Sequence, residues 1–486
     1  MPVGDRYQPD PRHTTLGRAF FDPVAPATFP DAKIRFRNDR WAARVGLDAL
    51  TDAEWAAHFA GFAALPGNLS EPLALRYHGH QFRHYNPDLG DGRGFLFAQM
   101  RDTADNRLLD LGTKGSGQTP YSRDGDGRLT LKGGVREALA TEYLEALGCY
   151  TSKTFSLIET GEPLFRNDEP SPTRSAVMVR LGHSHVRIGT FQRLAFLQQR
   201  DEIETLLGYV RDVYGLGATS AGDDLAAAVL ADAARNIAHM AAEWYVAGFV
   251  HGVLNTDNTT LTGESFDYGP WRFLPTLDVT HTAAYFDQTG LYAFGRQPGA
   301  LHWNLQRLAD CLLPNSTEAA LTAALNTFGD HFEARLTTMT LARLGRAVPA
   351  DGDLRAASEL VQSFYRTLHG AQLPFEQTFF DLFGLDEARW SKASAAEAYA
   401  SGDWPALLGQ LAALPDADGL DAARATDYFA GPTPETLVID EVEALWAPIA
   451  ADDNWQPLNA KLDRIRAMGS AYAPLLPPRA GHVPIG

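Results

Sequence analysis

Asn255, Asp257, Asn258 and Asp267 fall within thirteen residues of this chain, in His251-Gly-Val-Leu-Asn-Thr-Asp-Asn258 and the Phe266-Asp-Tyr-Gly-Pro270 that follows it. Amide and carboxylate oxygens are the hard donors that Mg²⁺ or Mn²⁺ takes, and a carboxylate beside them can accept a proton. Three cations, Lys114, Arg180 and Arg187, stand upstream. A guanidinium fork matches phosphate oxygens in pairs, and a lysine supplies a point charge. The chemistry these residue types suit is charge handling on a phosphate chain.

The spacing sharpens that reading. His251 to Asn258 has the interval of the kinase catalytic loop H-R-D-x-x-x-x-N, whose Asn holds a metal ion. Asp267-Tyr-Gly then occupies the place of D-F-G, whose Asp also holds Mg²⁺. Val253 stands where a kinase carries its catalytic Asp. Either the chain does no phosphoryl chemistry, or it uses another base.

Elements must position these groups. Residues 1–75 read as an irregular N-terminal extension with one helix, its stripe Trp55, Phe59 and Phe62. Residues 76–190 read as a β-rich lobe. In it, Gly90-Asp-Gly-Arg-Gly94 is a turn whose backbone N–H groups can approach phosphate, with strands predicted over 95–100 and 108–114. Lys114 ends the second strand, and a long polar loop with Arg123 and Arg128 follows it. A helix is predicted over 133–147 with Glu137 in its first half, placed as the kinase Glu that fixes the strand Lys. Strands over 154–159 and 175–181 complete the lobe. His78 and His80 have no Cys/His pair nearby and are not read as metal ligands.

Residues 191–400 read as an α-rich lobe. Its clearest helix covers 223–249, and a strand–turn–strand is expected around Asn258 and Asp267. Residues 401–486 read as a helical extension with one last helix over 435–468 and a proline-rich tail. The fold class is thus α+β, a protein-kinase-like two-lobed arrangement with N- and C-terminal extensions.

Composition narrows the partners. The chain has 486 residues, and its net charge of −18 argues against nucleic acid and anionic membranes. Two cysteines, Cys149 and Cys311, argue for a reducing compartment. With no signal-peptide h-region and no apolar run of about 20 residues, a cytoplasmic protein is expected.

The order of the parts, Gly-rich turn, Lys114, Glu137, long helix, His251 to Asn258, Asp267-Tyr-Gly, is the protein-kinase plan. The chain also resembles the selenoprotein O family, protein adenylyltransferases with a pseudokinase-like fold. The likeness runs over roughly residues 75–310, through His78-Gly-His-Gln-Phe82, Asn86-Pro-Asp-Leu-Gly-Asp-Gly-Arg-Gly94, Lys114-Gly-Ser-Gly117, Thr119-Pro-Tyr-Ser-Arg123 and Asp126-Gly-Arg128. It continues through Arg136-Glu137, His183-Ser-His-Val-Arg-Ile-Gly189, the His251 and Phe266 stretches, and Gln297-Pro298 with Trp303-Asn-Leu-Gln-Arg-Leu308.

The resemblance implies ATP bound flipped relative to a kinase, with AMP passing to a protein Ser, Thr or Tyr hydroxyl and pyrophosphate leaving. It assigns the phosphates to Lys114 (held by Glu137), Arg180 and Arg187, and the nucleotide lining to Gly90, Gly92, Arg93, Asp126 and Gly127. Asn258 and Asp267 are assigned to Mg²⁺ (or Mn²⁺) and Asp257 to the base. Attack at the α-phosphorus expels pyrophosphate, which calls for cations on the leaving side.

The tail lacks the Cys or selenocysteine that family members often carry, so redox gating there is not expected. Thr280–Ala284 and the last hundred residues depart from the family wording. UMP transfer from UTP, a nucleotide-binding scaffold without catalysis, and a true kinase with an unusual base are the other readings.

Overall fold

A computed structural model describes residues 4–167, 169–218, 224–349 and 352–479. The architecture is α+β, with a β-sheet-rich N-terminal part and a helical C-terminal part. The early strands and helices are β1 (Phe21–Pro23), β2 (Lys33–Arg37), α1 (Asp39–Arg44), α2 (Asp52–Phe59), β3 (Leu73–Leu75), β4 (Gly79–Gln81), β5 (His84–Asn86), β6 (Leu96–Arg101) and β7 (Leu108–Lys114). They are followed by β8 (Leu129–Thr130), α3 (Leu131–Ala146), β9 (Lys153–Leu164) and β10 (Thr173–Gly182). An antiparallel sheet runs in the order β1-β3-β6-β7-β10-β9-β2, with β8 on the free end of β10. Residues before 75 therefore hold more than the one expected helix. Their strands β1 and β2 form the two edges of the sheet.

Alternation along β10 shows how the sheet is buried on both faces. Val177, Val179 and Leu181 join a core with Trp41, Trp55, Phe59 and Phe155, under α1 and α2. Ala176 and Met178 point the other way, into the larger core with α3. Arg180 shares that second face. Lys114 pairs in register with Met178 and Gly112 with Arg180, so both cations stand on the α3 side of neighbouring strands.

Helix α3 starts where Thr130 caps it, the hydroxyl accepting from the Gly133 N–H at 3.1 Å. It lies close on the sheet because Gly134 has no side chain. A Cβ there would stand 2.3 Å from Leu157 Cδ1. Gly148, at φ +78°, follows its last turn as a left-handed stop.

The helical part begins with α4 (Ile188–Phe196), α5 (Arg200–Tyr214) and α6 (Leu225–Val246). Asp223 lies outside the described residues, and the observed cap is Asp224, which accepts from the Ala227 N–H at 2.9 Å. Helix α6 is buried through Val229, Ala233, Ile237, Met240 and Trp244, and ends in Gly248 at φ +63°. Helix α7 (Gln297–Leu312) packs against it.

Two expectations are corrected here. No hairpin joins Asn258 to Asp267. The arms pair elsewhere: Thr260 bridges Arg187, and Ser265 exchanges backbone hydrogen bonds with Tyr150 and Ser152 at 2.9 Å each. A short ladder of β11 (Phe249–Val250) with β12 (Arg272–Phe273) closes the segment at its base. The single helix expected over 435–468 is two, Ile439–Asp452 and Gln456–Tyr472. Asp453 breaks them at φ +52°, its carboxylate held by Lys33 at 2.9 Å, Arg35 at 2.8 Å and Arg174 at 2.7 Å.

No helix among the described residues is long and apolar enough to cross a membrane. Cys149 and Cys311 are both buried. Residues 480–486 of the tail lie outside the described residues.

Candidate active site

A cavity of about 710 Å³ opens between the sheet and the helices. Seven Lys or Arg side chains and five Asp side chains line it, a local cationic excess in an acidic chain. Gly90, Gly92, Arg93, Lys114, Asp126, Gly127, Arg180, Arg187, Asp257, Asn258 and Asp267 all contribute to its wall. Glu137 does not; it is wholly buried behind Lys114. Asp126 sits at the rim, paired with Arg166 at 2.8 Å and half exposed.

The cations are fixed by carboxylates from two parts of the chain. Lys114 Nζ donates to Glu137 at 2.7 Å and lies 2.8 Å from Asp267. Arg180 reaches the same two acids, Glu137 at 3.5 Å and Asp267 at 3.2 Å. Glu142 and Glu145, the other acids of α3, face away toward Arg40 and Arg466. Burial opposes the charge on Asp267, yet Lys114, Arg180 and Arg93 hold its carboxyl well below the usual range. Its backbone has φ +61°, the left-handed region that Asp tolerates better than most side chains.

Arg187 precedes α4 and is buried. Its guanidinium donates to the Asp257 carbonyl at 3.0 Å and to the Asp91 carboxylate at 3.2 Å. Asp91 lies inside the Gly90-to-Gly94 turn, and its carboxylate also accepts from the Leu75 N–H at 3.0 Å. That carboxylate ties the turn, β3 and Arg187 together. Sequence reasoning passed over it, although its place between two glycines was the available signal.

Asp257 and Asn258 belong to a short turn, Thr256–Asn258, assembled by distant elements. The Thr256 hydroxyl donates to Gln192 of α4 at 2.6 Å and accepts from the His80 N–H at 2.7 Å. Asn255 Oδ1 accepts from the Phe82 N–H at 3.1 Å and the Tyr292 hydroxyl at 2.9 Å. Asn304 of α7 donates to the Leu254 carbonyl at 3.0 Å. Gly79 of β4 leaves the room that Asp257 fills. The His78-Gly-His80 stretch thus serves as a brace, its imidazoles bonded to Tyr85 and Gln192 at 2.7 Å each.

Burial pushes the Asp257 carboxyl up to about 6, against the pull of Arg187. Its Oδ1 is buried without a hydrogen-bond partner, as are Nε of Arg180 and Nε of Arg187. Asn258 donates its amide N–H to the Val253 carbonyl at 3.2 Å, which leaves the amide oxygen as the donor to a cation. Among the described residues no group of three His, Cys, Asp or Glu side chains gathers as a metal site. The donor set here is two hard oxygens, from Asn258 and Asp267, and suits a divalent cation completed by phosphate and water.

His251 organises the segment from behind. It accepts from the Val253 N–H at 3.4 Å, and its Nε2 donates to the Phe266 carbonyl at 3.0 Å, so it is neutral, as burial favours. It holds the backbone that delivers Asp267 and does not line the cavity.

Comparison with known proteins extends the likeness past residues 75–310. The profile of the family described as protein adenylyltransferase SelO matches residues 6–466, the last hundred residues included in large part. The protein nucleotidyltransferase YdiU of Synechococcus elongatus is 43% identical over 482 residues, covering 96% of each chain. That of Synechocystis sp. is 41% identical over 486 residues, 94% of this chain and 98% of its own. That of Vibrio cholerae is 36% identical over 375 residues, 77% of this chain and 74% of its own. With the profile running almost end to end and these relatives alongside, the chain belongs to the protein adenylyltransferase SelO family.

Proposed function

We propose that this chain transfers AMP from ATP to Ser, Thr or Tyr hydroxyls of proteins and releases pyrophosphate, from a protein-kinase-like two-lobed fold. The observation that carries the proposal is the convergence of Lys114, Arg180 and Arg187 with Asp257 on one cavity, where three of their buried polar atoms have no partner in the protein. Unpaired atoms also lie elsewhere in the interior, so the weight rests on their gathering at one cavity.

In this reading the acceptor hydroxyl attacks the α-phosphorus, and its proton goes to Asp257. A new P–O bond forms as the bond to the β-phosphate oxygen breaks. Lys114, Arg180 and Arg187 meet the charge that grows on the departing pyrophosphate. Asp257 has the means to act as base where Val253 has none, and its raised carboxyl remains mostly ionised at neutral pH while still accepting a proton readily. Asn258 and Asp267 would hold Mg²⁺ or Mn²⁺, which supplies Lewis-acid charge on the phosphate oxygens. The Glu137–Lys114 pair supports the two-lobed kinase-like assignment, with sheet and helices each giving one side of the cavity. A cytoplasmic location is proposed too, on the two cysteines, both free and buried.

The test is incubation with protein acceptor and Mg²⁺ plus ATP labelled at the α- or, separately, the γ-phosphate, wild type beside Asp257→Ala. Label from the α-position alone, lost in the variant, is expected. Label from the γ-position would make the chain a kinase and overturn the flipped nucleotide. Bound nucleotide with no label from either would favour a scaffold. The relatives are named nucleotidyltransferases with no nucleotide specified, so α-labelled UTP is run in parallel. Preferential UMP transfer would replace ATP in this proposal.

A further inference from the structure

Tyr77 lies between β3 and β4, outside every motif singled out in the sequence, and lines the same cavity. Its ring stacks on the Arg187 guanidinium, 4.3 Å from centroid to Cζ. Phe266 takes another side of Arg187 at 5.0 Å and is 5.6 Å from the Arg180 guanidinium. Two oxygens from Asp257 and Asp91 hold the Arg187 edge, and the two rings hold its plane. A guanidinium so restrained gives up little rotational freedom when it meets a phosphate. The Tyr77 hydroxyl makes no hydrogen bond among the described residues, although the residue is only 7% exposed. With no partner among them, that hydroxyl is free to meet water or a ligand in the cavity.

We propose that Tyr77 is a further nucleotide-contacting residue: its ring fixes the plane of Arg187, and its hydroxyl donates to a phosphate oxygen of the bound nucleoside triphosphate. The inference rests on reading this cavity as the nucleotide site. A phosphate oxygen suits the hydroxyl because Arg187, the cation beside it, selects the same group. The ring accounts for the stacking, the hydroxyl for its lack of a partner in the protein, and the two roles separate by substitution.

The experiment measures binding of α,β-methylene-ATP with Mg²⁺ by calorimetry to full-length wild type, Tyr77→Phe, Tyr77→Leu, Arg187→Lys and the Tyr77→Leu/Arg187→Lys double variant, with melting curves for each. Tyr77→Phe keeps the ring and is expected to weaken binding about ten-fold, as for one hydrogen bond to a charged group. Tyr77→Leu is expected to cost more. In the Arg187→Lys background it should cost only what Tyr77→Phe costs in wild type, because Lys has no plane to hold. In transfer assays the nucleotide KM should rise while the KM for the protein acceptor stays unchanged. Wild-type affinity in Tyr77→Phe would overturn the hydroxyl contact, and independent multiplication of the Tyr77→Leu and Arg187→Lys effects would overturn the support of Arg187. Failure of the wild type to bind the analogue would overturn the nucleotide-site reading itself, a result distinct from either.

Discussion

One methyl group should slow the reaction without replacing any reacting residue. Gly79 has an ordinary extended backbone in β4, so alanine is conformationally acceptable there. Its Cβ would nevertheless lie 2.8 Å from Asp257 Oδ1, 3.1 Å from Asp257 Cβ and 3.2 Å from Leu89 Cδ1. Comfortable contact is about 3.5 Å, so the Asp257 carboxylate must retreat by roughly 0.7 Å. A misplacement of about 1 Å costs on the order of 10²-fold in rate, so about 0.7 Å should cost roughly ten-fold or somewhat more. Overpacking should also lower stability by about 1–3 kcal/mol. The assay is the initial rate of α-phosphate label transfer at saturating ATP, with a melting curve to confirm folding. Asp257→Asn alone should lose ~10²–10⁴-fold. Gly79→Ala added to Asp257→Asn should lose almost nothing more, since both act through one carboxylate. A folded Gly79→Ala with wild-type kcat, or a ten-fold further loss in the double variant, would refute Asp257 as a closely positioned base.

Three further outcomes are expected. Glu137→Gln removes the partner that Lys114 meets at 2.7 Å and Arg180 at 3.5 Å; kcat/KM should fall about 100-fold and stability by about 3–5 kcal/mol, with ATP restoring part of the melting loss. Burial pushes the Glu264 carboxyl from 4.5 up to about 7. The folded state therefore holds that proton more tightly than the unfolded state, and stability falls as pH rises from 4.5 through about 7. Glu264→Gln should raise the melting temperature at pH 8 by an amount equivalent to roughly 3 kcal/mol and change it little near pH 4, read by calorimetry at both pH values. Chelation with EDTA should abolish transfer and Mg²⁺ or Mn²⁺ should restore it, while Asn258→Ala should raise the metal concentration for half-maximal rate by at least about ten-fold.

Much of the candidate site was legible because its residues sit in local patterns. Lys114 ends a strand, Glu137 follows a helix cap, and Asn258 and Asp267 keep a fixed interval from His251. The structure places all four within or directly behind one cavity wall. What escaped depends on long-range approach. Strands β1 and β2 are three and five residues long and carry Pro23, Lys33 and Arg37, so nothing in their periodicity announces the edges of a sheet. The hairpin expected after Asn258 failed because Thr260 and Ser265 found partners in other segments. Asp453 ends one helix in a left-handed turn and Pro457 opens the next, a break the single expected helix overlooked, while three cations from the sheet hold the Asp453 carboxylate. Tyr77 belongs to no chemical pattern, and although Asp91 sits between two glycines, only the fold brings either to Arg187.

The turn bearing Asp257 owns little of its own support. Its braces come from β4, α4, Tyr292 and finally Asn304 of α7. Synthesis proceeds from the N-terminus, so the cavity cations Lys114, Arg180 and Arg187 are all made more than a hundred residues before Asn304. The turn gains this last brace only once α7 has been made. The base is therefore seated through α7, although α7 itself gives the cavity no residue.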